Sequence, residues 1–317
     1  MEKIKGATIM KKRLFLFGVL LLVAGIIFAG GSKEGTESAR DEVVIAYVVK
    51  TMTNPYYHEV AVGAEEAAEK LGANLIFQGP ARHGDTMAQV AIVENLLALK
   101  PDVLILIPDN YTALLPVLQQ YNEAGIPIII ADTRIEEGFV KTETFVGYDD
   151  ASATSMVAEY VADLLEGKGK VAILEGQRGS STAEARLRGY VDKLQEYPEI
   201  EMVASLTAGW DREKALSVAQ DIIQANPDIN AIFASNDEMA LGAIQAVKEA
   251  GKEDQIYVTG FDAIQAAKDS VASGDMLCTI DAVPSRMGSL SVELALKHLE
   301  GETLEKEYYY PIQLLTE

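Results

Sequence analysis

Several apolar runs in this chain stop at a polar tip. Ala231-Ile232-Phe233-Ala234 halts at Ser235-Asn236-Asp237-Glu238, "PIIIAD" ends on Asp132, "IYVTGFD" ends on Asp262, and Asn54 follows the run "VVIAYVV". A carboxylate accepts two hydroxyl donors, while an amide both donates and accepts. Such tips suit recognition of a ligand rich in hydroxyls, or acid–base work by paired carboxylates. Helix capping competes for the same residues: Asp237 is read as an N-cap, and Asn236, nearer the strand tip, as facing a ligand. The chain has no G-x-G-x-x-G, P-loop or G-x-S-x-G. His58, His83 and His298 show no metal spacing, and His58 and His83 are expected on the surface. No cofactor and no metal are expected, and the chain is read as a non-enzyme.

The elements that must carry these tips recur. At an offset of 126 residues, Val44–Val48 faces Lys170–Leu174, Gly63 faces Gly189, Asp85 faces Asp211, Pro101-Asp102 faces Pro227-Asp228, and Ala124-Gly125 faces Ala250-Gly251. Each copy alternates apolar strands with amphipathic helices, with Asp85 and Asp211 as N-caps and Gly72 as a C-cap. Continuous apolar strands alternating with helices imply parallel sheets covered on both faces. The expected fold class is α/β, with two similar doubly wound lobes. In such sheets ligands bind beyond the carboxyl ends of the strands, where Asn54, Asp132, Asn236 and Asp262 fall.

The 317 residues, 49% hydrophobic, suffice for two cores. A net charge of −21 argues against nucleic acid as a partner. Lys11, Lys12 and Arg13 precede an apolar run from Leu14 to Phe28 and then Ala29-Gly30-Gly31, the pattern of an export signal over 1–31. The run is short for a membrane span of about 20 residues. Removing 1–31, with five Lys/Arg and one Glu, takes the charge to −25. Residues 32–41 read as a polar tether, and the export signal implies the periplasm or cell envelope. The single cysteine, Cys278, excludes a disulfide framework and reads as a small buried apolar residue.

The segments "TMTNPYY", "GSSTAEARLRGY", "GWDREKA", "FASNDEMALGA", "VTGFDA" and "TIDAVP" resemble periplasmic sugar-binding proteins of the ribose-binding type over nearly all of the expected mature chain. The resemblance implies a type I periplasmic binding fold, whose lobes close on one monosaccharide or polyol. It also implies delivery to an ABC importer permease, in some members a chemoreceptor as a second partner, and a monomer. Residue by residue, it implies ligand contacts from Asn54, Tyr56, Tyr57, Asp132, Arg186, Trp210, Asn236 and Asp262. Tyr57 and Trp210 would cover opposite faces of the sugar. Other readings stay open: Tyr56, Tyr57 and Trp210 as packing residues, Arg186 pairing with Glu184 or Asp192, and Asp262 as a cap.

The chain departs from the ribose pattern in three places. Ile107 precedes Pro108 where an amide is usual, Thr133 replaces an arginine, with Arg134 one later, and Ala282 replaces a glutamine, with Asp281 beside it. Thr133 and Asp281 are taken as substitute contacts, and Asn110, the repeat partner of Asn236, as a substitute donor. A different aldose, a deoxy sugar, a polyol or a furanosyl ligand is expected. The resemblance sets the lobes at 42–147 with 282–309 and 148–281 with 310–317, crossing near Tyr148, Asp281-Ala282 and Tyr310. "RMGSLSVELALKHLEG" is expected as a helix and "YYYPIQLLTE" as one final strand. The alternative function is an exported carbohydrate-active enzyme using Asp132 and Asp262.

Overall fold

The structure is a computed structural model that describes residues 42–136 and 138–316; the expected signal and tether lie outside them. The described residues form one compact unit. Among the described residues, no helix is long and apolar enough to cross a membrane.

The first half runs β1 (Val43–Val48), α1 (Pro55–Leu71), β2 (Ala73–Gln78), α2 (Thr86–Ala98), β3 (Val103–Leu106), α3 (Tyr111–Glu123), β4 (Ile128–Ala131) and β5 (Thr144–Gly147). The second half continues with α4 (Asp150–Leu164), β6 (Lys168–Glu175), α5 (Ser181–Leu194), β7 (Glu199–Thr207), α6 (Arg212–Ala225), β8 (Ala231–Ala234), α7 (Asp237–Glu249), β9 (Tyr257–Thr259), α8 (Gln265–Ala272) and β10 (Thr279–Asp281). The tail adds α9 (Pro284–Leu299), β11 (Glu307–Tyr309) and β12 (Gln313–Leu315). The expected single final strand is two, because Tyr309 pairs with β5 and Gln313 with β10, and Pro311 between them has no N–H to continue a ladder.

One sheet has the order β11-β5-β4-β3-β1-β2 and another β7-β6-β8-β9, with every pair parallel. The antiparallel pair β10-β12 joins the second through a bridge from Cys278 to Thr259. Successive side chains point to opposite sheet faces. In β1, Ile45 and Tyr47 therefore pack with Val60 and Ala64 of α1, while Ala46 and Val48 pack with α2 and α3. Cys278 is buried and unpaired.

The chain leaves the first sheet after Gly147. It returns after Asp281, where α9 lies on α1, and crosses again between Tyr309, paired to β5, and Gln313, paired to β10. The second passage is tight: Asp281 Oδ1 accepts from the Val283 N–H at 3.0 Å, and Val283 has φ 42°.

The repeat has a packing cause. At Gly63 on α1 a Cβ would run into the Ser285 carbonyl of α9, and at Gly189 on α5 into the Ala151 carbonyl of α4. Each half thus has a glycine at the matched position that brings two helix backbones together; Gly288 on α9, against the Val60 carbonyl of α1, and Gly242 on α7, against the Arg212 carbonyl of α6, serve the same purpose. Gly63→Ala and Gly189→Ala should each lower stability by about 1–3 kcal/mol through overpacking, less up to about 1 kcal/mol regained in helix propensity. Urea unfolding would show this as a lower midpoint at constant slope; an unchanged midpoint would mean the helices part freely.

Candidate functional site

The carboxyl ends of both sheets face one small cavity of about 20 Å³. On the first-sheet side it is lined by Lys50, Asn54, Tyr56, Tyr57, His83 and Asp132. On the second-sheet side it is lined by Thr182, Arg186, Trp210, Asn236 and Asp262. That volume holds about one water molecule.

Helix caps set the amides. Asn54 caps α1, its Oδ1 accepting from the Tyr56 N–H at 2.9 Å. Asn236 caps α7, accepting from Met239 N at 2.9 Å, so the cap falls one residue earlier than expected. An amide that caps through its oxygen keeps its two N–H donors. Asp237 is instead buried behind the site: it accepts from Thr279 Oγ1 at 2.7 Å and Ile264 N at 2.9 Å. Burial pushes its carboxyl up against these hydrogen bonds.

The charges form one chain of contacts. Lys50 Nζ donates to Asp132 Oδ2 at 2.8 Å, with both side chains 4% exposed. Arg186 Nε donates to Asp150 Oδ1 at 2.8 Å, Nη1 to the Ser235 carbonyl at 2.6 Å and Nη2 to Tyr148 Oη at 2.9 Å. Tyr148 Oη also lies 3.5 Å from Asp132 Oδ1, which links the two sides. Asp262 Oδ1 is 3.6 Å from Arg186 Nη1. The guanidinium lies 3.5 Å from the centroid of the Phe261 ring and 5.6 Å from that of Trp210, both within cation–π range. Arg186 thus pairs with Asp150 and Asp262 rather than with Glu184 or Asp192.

These surroundings divide the acids. Burial would raise Asp132, but the charges of Lys50 and Arg186 outweigh it and hold the carboxyl below its usual range. Burial raises Asp150 to about 6 despite Arg186. It raises Asp262 well above the ordinary range, Arg186 opposing and Asp237 and Asp132 reinforcing. Asp132 (φ 57°), Trp210 (φ 68°) and Asp262 (φ 115°) all have left-handed backbones, which cost about 1–3 kcal/mol each and cluster at functional sites. The Trp210 ring lies where a Cβ on Gly176 would be.

Some expected contacts lie elsewhere. Thr133 does not line the cavity; its hydroxyl is 2.7 Å from that of Thr182, one of several contacts between the two sides. The others include Arg134 N to Ser181 Oγ at 3.0 Å and Gln177 Nε2 to Asp109 Oδ2 at 3.4 Å. Asp281 holds the Val283 turn, and Asn110 caps α3, accepting from Ala113 N at 3.2 Å; neither lines the cavity. His83, expected on the surface, does line it, whereas His58 is exposed. Lys50 and Thr182 were not singled out by sequence. Lys50 sits two residues past the β1 run, where its offset from the strand end was the available signal. Among the described residues no cluster could hold a metal ion.

Residues 45–303 match the family described as periplasmic binding protein domain. The ribose import binding protein of Bacillus subtilis is 32% identical over 90% of this chain and 91% of its own. The D-allose-binding periplasmic protein of Escherichia coli is 34% identical over 78% and 82%. Among solved structures, an ABC transporter periplasmic solute-binding protein of Actinobacillus succinogenes with bound D-allose is 37% identical. It has a TM-score of 0.83 and coverage of 87% of this chain and 98% of its own. One from Bacillus halodurans with bound myo-inositol is 30% identical, with a TM-score of 0.78 and coverage of 87% and 94%.

A group whose pKa is raised on folding stabilises the fold below its unfolded value and loses that contribution as pH rises through the folded one. For Asp150 the window runs from about pH 4 to about 6. Asp150→Asn keeps an acceptor for Arg186 Nε and removes the titration. Urea unfolding should therefore show the variant gaining stability relative to wild type from pH 4 to 6; a constant difference would contradict the assignment.

Proposed function

The chain belongs to the periplasmic binding protein family, and on that premise we propose that it is an exported receptor that captures a monosaccharide or polyol between its two lobes and passes it to an ABC importer. The observation that carries this reading is the facing of Lys50–Asp132 by Arg186–Asp262 across one cavity that also holds Tyr57 and Trp210. Carboxylate and guanidinium groups suit the hydroxyl rim of a sugar, and flat aromatic rings suit its C–H faces. Three hydrogen bonds leave Arg186 one N–H on each terminal nitrogen for a ligand oxygen.

A cavity of about 20 Å³ admits no sugar unless the walls part. We take the three crossings as the hinge, with ligand shifting the population toward the closed state. The contacts Thr133–Thr182 and Arg134–Ser181 would break on opening and reform around the ligand. An anionic Asp132 beside a raised Asp262 would also suit acid–base work; what disfavours that alternative is the likeness to periplasmic binding proteins and to solved solute-binding proteins. The protein acts as a monomer in this scheme, with the permease, and in some settings a chemoreceptor, reading the closed form.

The test is a thermal-shift and titration panel of D-ribose, D-allose, D-arabinose and myo-inositol. A sugar at 100 times its Kd should stabilise the protein by about 2.7 kcal/mol and be recovered unchanged. Trp210→Ala and Asp262→Asn should each weaken binding of that sugar more than tenfold. Wild-type binding in both variants would remove these residues from the site, and conversion of the sugar would establish an enzyme.

A further inference from the structure

His83 lies on the loop after β2 and faces the cavity beside Tyr57, the two ring centroids 6.0 Å apart at 53°. Its proton position can be argued from its neighbour. Asn54 Oδ1 is committed to the Tyr56 N–H, so the group 3.4 Å from His83 Nε2 is the Asn54 amino group, a donor. Nε2 must then accept, and in a neutral imidazole the single proton falls on Nδ1. Nδ1 is buried with no hydrogen-bond partner. Burial, and then the charge of Lys50, lowers the imidazole pKa to about 4, so the ring is neutral at neutral pH. A helix cap therefore fixes Nδ1–H as the one donor of a ring that belongs to the cavity lining, and that donor is unsatisfied within the protein.

Building on the sugar-binding reading above, we propose that His83 is a specificity-determining residue whose Nδ1–H donates to one oxygen of the bound sugar or polyol. A buried donor left unmet is costly. A ligand lacking an oxygen at that point, or carrying it on the other face, is discriminated against, as sites built to hydrogen-bond a hydroxyl do. The ring cannot invert its role, because swapping donor and acceptor would set two donors, Nε2–H and the Asn54 amino group, against each other.

The experiment is isothermal titration of wild type, His83→Ala, His83→Asn and His83→Gln with whichever of D-ribose, D-allose, D-arabinose and myo-inositol wild type binds tightest, and with its monodeoxy derivatives. The asparagine amide can reproduce a donor near Nδ1, whereas the longer glutamine amide reaches the Nε2 position. We expect His83→Ala to weaken the parent ligand at least tenfold but to leave one monodeoxy derivative bound as in wild type. His83→Asn should recover most of the loss and His83→Gln little. Nitrogen-15 histidine spectra of the ligand-free protein should show a protonated Nδ1 and an unprotonated Nε2 for the resonance absent from the variants. Unchanged affinity in His83→Ala, an equal loss for every derivative, or an Nε2–H tautomer would overturn the proposal while leaving sugar binding intact. Wild type binding no member of the panel would overturn the sugar reading itself and this proposal with it.

Discussion

Two cations, Lys50 and Arg186, are withdrawn from water at a seam between two sheets, and the rest of the site follows from satisfying them. A buried charge is tolerated only when paired and hydrogen-bonded. Lys50 has Asp132; Arg186 has Asp150, a backbone carbonyl, Tyr148 and the face of Phe261. Asp262 is left with one cation at 3.6 Å, and burial drives its carboxyl toward the neutral form. The seam therefore keeps unused donor and acceptor capacity, which a molecule dense in hydroxyls can complete. Tyr148 sits where the chain first changes sheets and touches both Asp132 and Arg186, so the electrostatic link and a covalent crossing share one residue.

The architecture supplies this arrangement through a simple rule. Parallel strands end on one edge, each helix after a strand begins there, and its first unsatisfied N–H groups require a cap. Asn54, Asp85, Asn110, Asp211 and Asn236 all cap in this way. Capping and ligand recognition are not rivals at an amide. Asn236 and Asn54 spend their oxygens on the helix and retain N–H groups, and Asn54 turns one toward His83.

Much of the fold was legible because strand and helix periodicities are local, and because a shared register tied the halves together. Gly63 and Gly189 matched in sequence and play the same packing role. The element boundaries around Asp85, Asp211 and Gly72 follow from cap chemistry. By contrast, β5, α4 and α8 were not read, since they fall at and beyond the repeat joints. At the site, residue types at strand tips were visible, but their partners were not. Lys50–Asp132 joins residues 82 apart and Arg186–Asp150 residues 36 apart. Thr133 and Asp281 show the same limit: both are polar and near the seam, yet one bridges the walls and the other locks a turn, a difference set by side-chain direction alone.

The central claim is that one ligand completes both halves of the charged seam at once. A crystal structure of the protein grown with its tightest-binding sugar tests it most directly. The account predicts a single ring between Tyr57 and Trp210, with hydroxyls bonded both to Lys50 or Asp132 and to Arg186 or Asp262. A sugar held by one sheet only, or seated outside this seam, would contradict it.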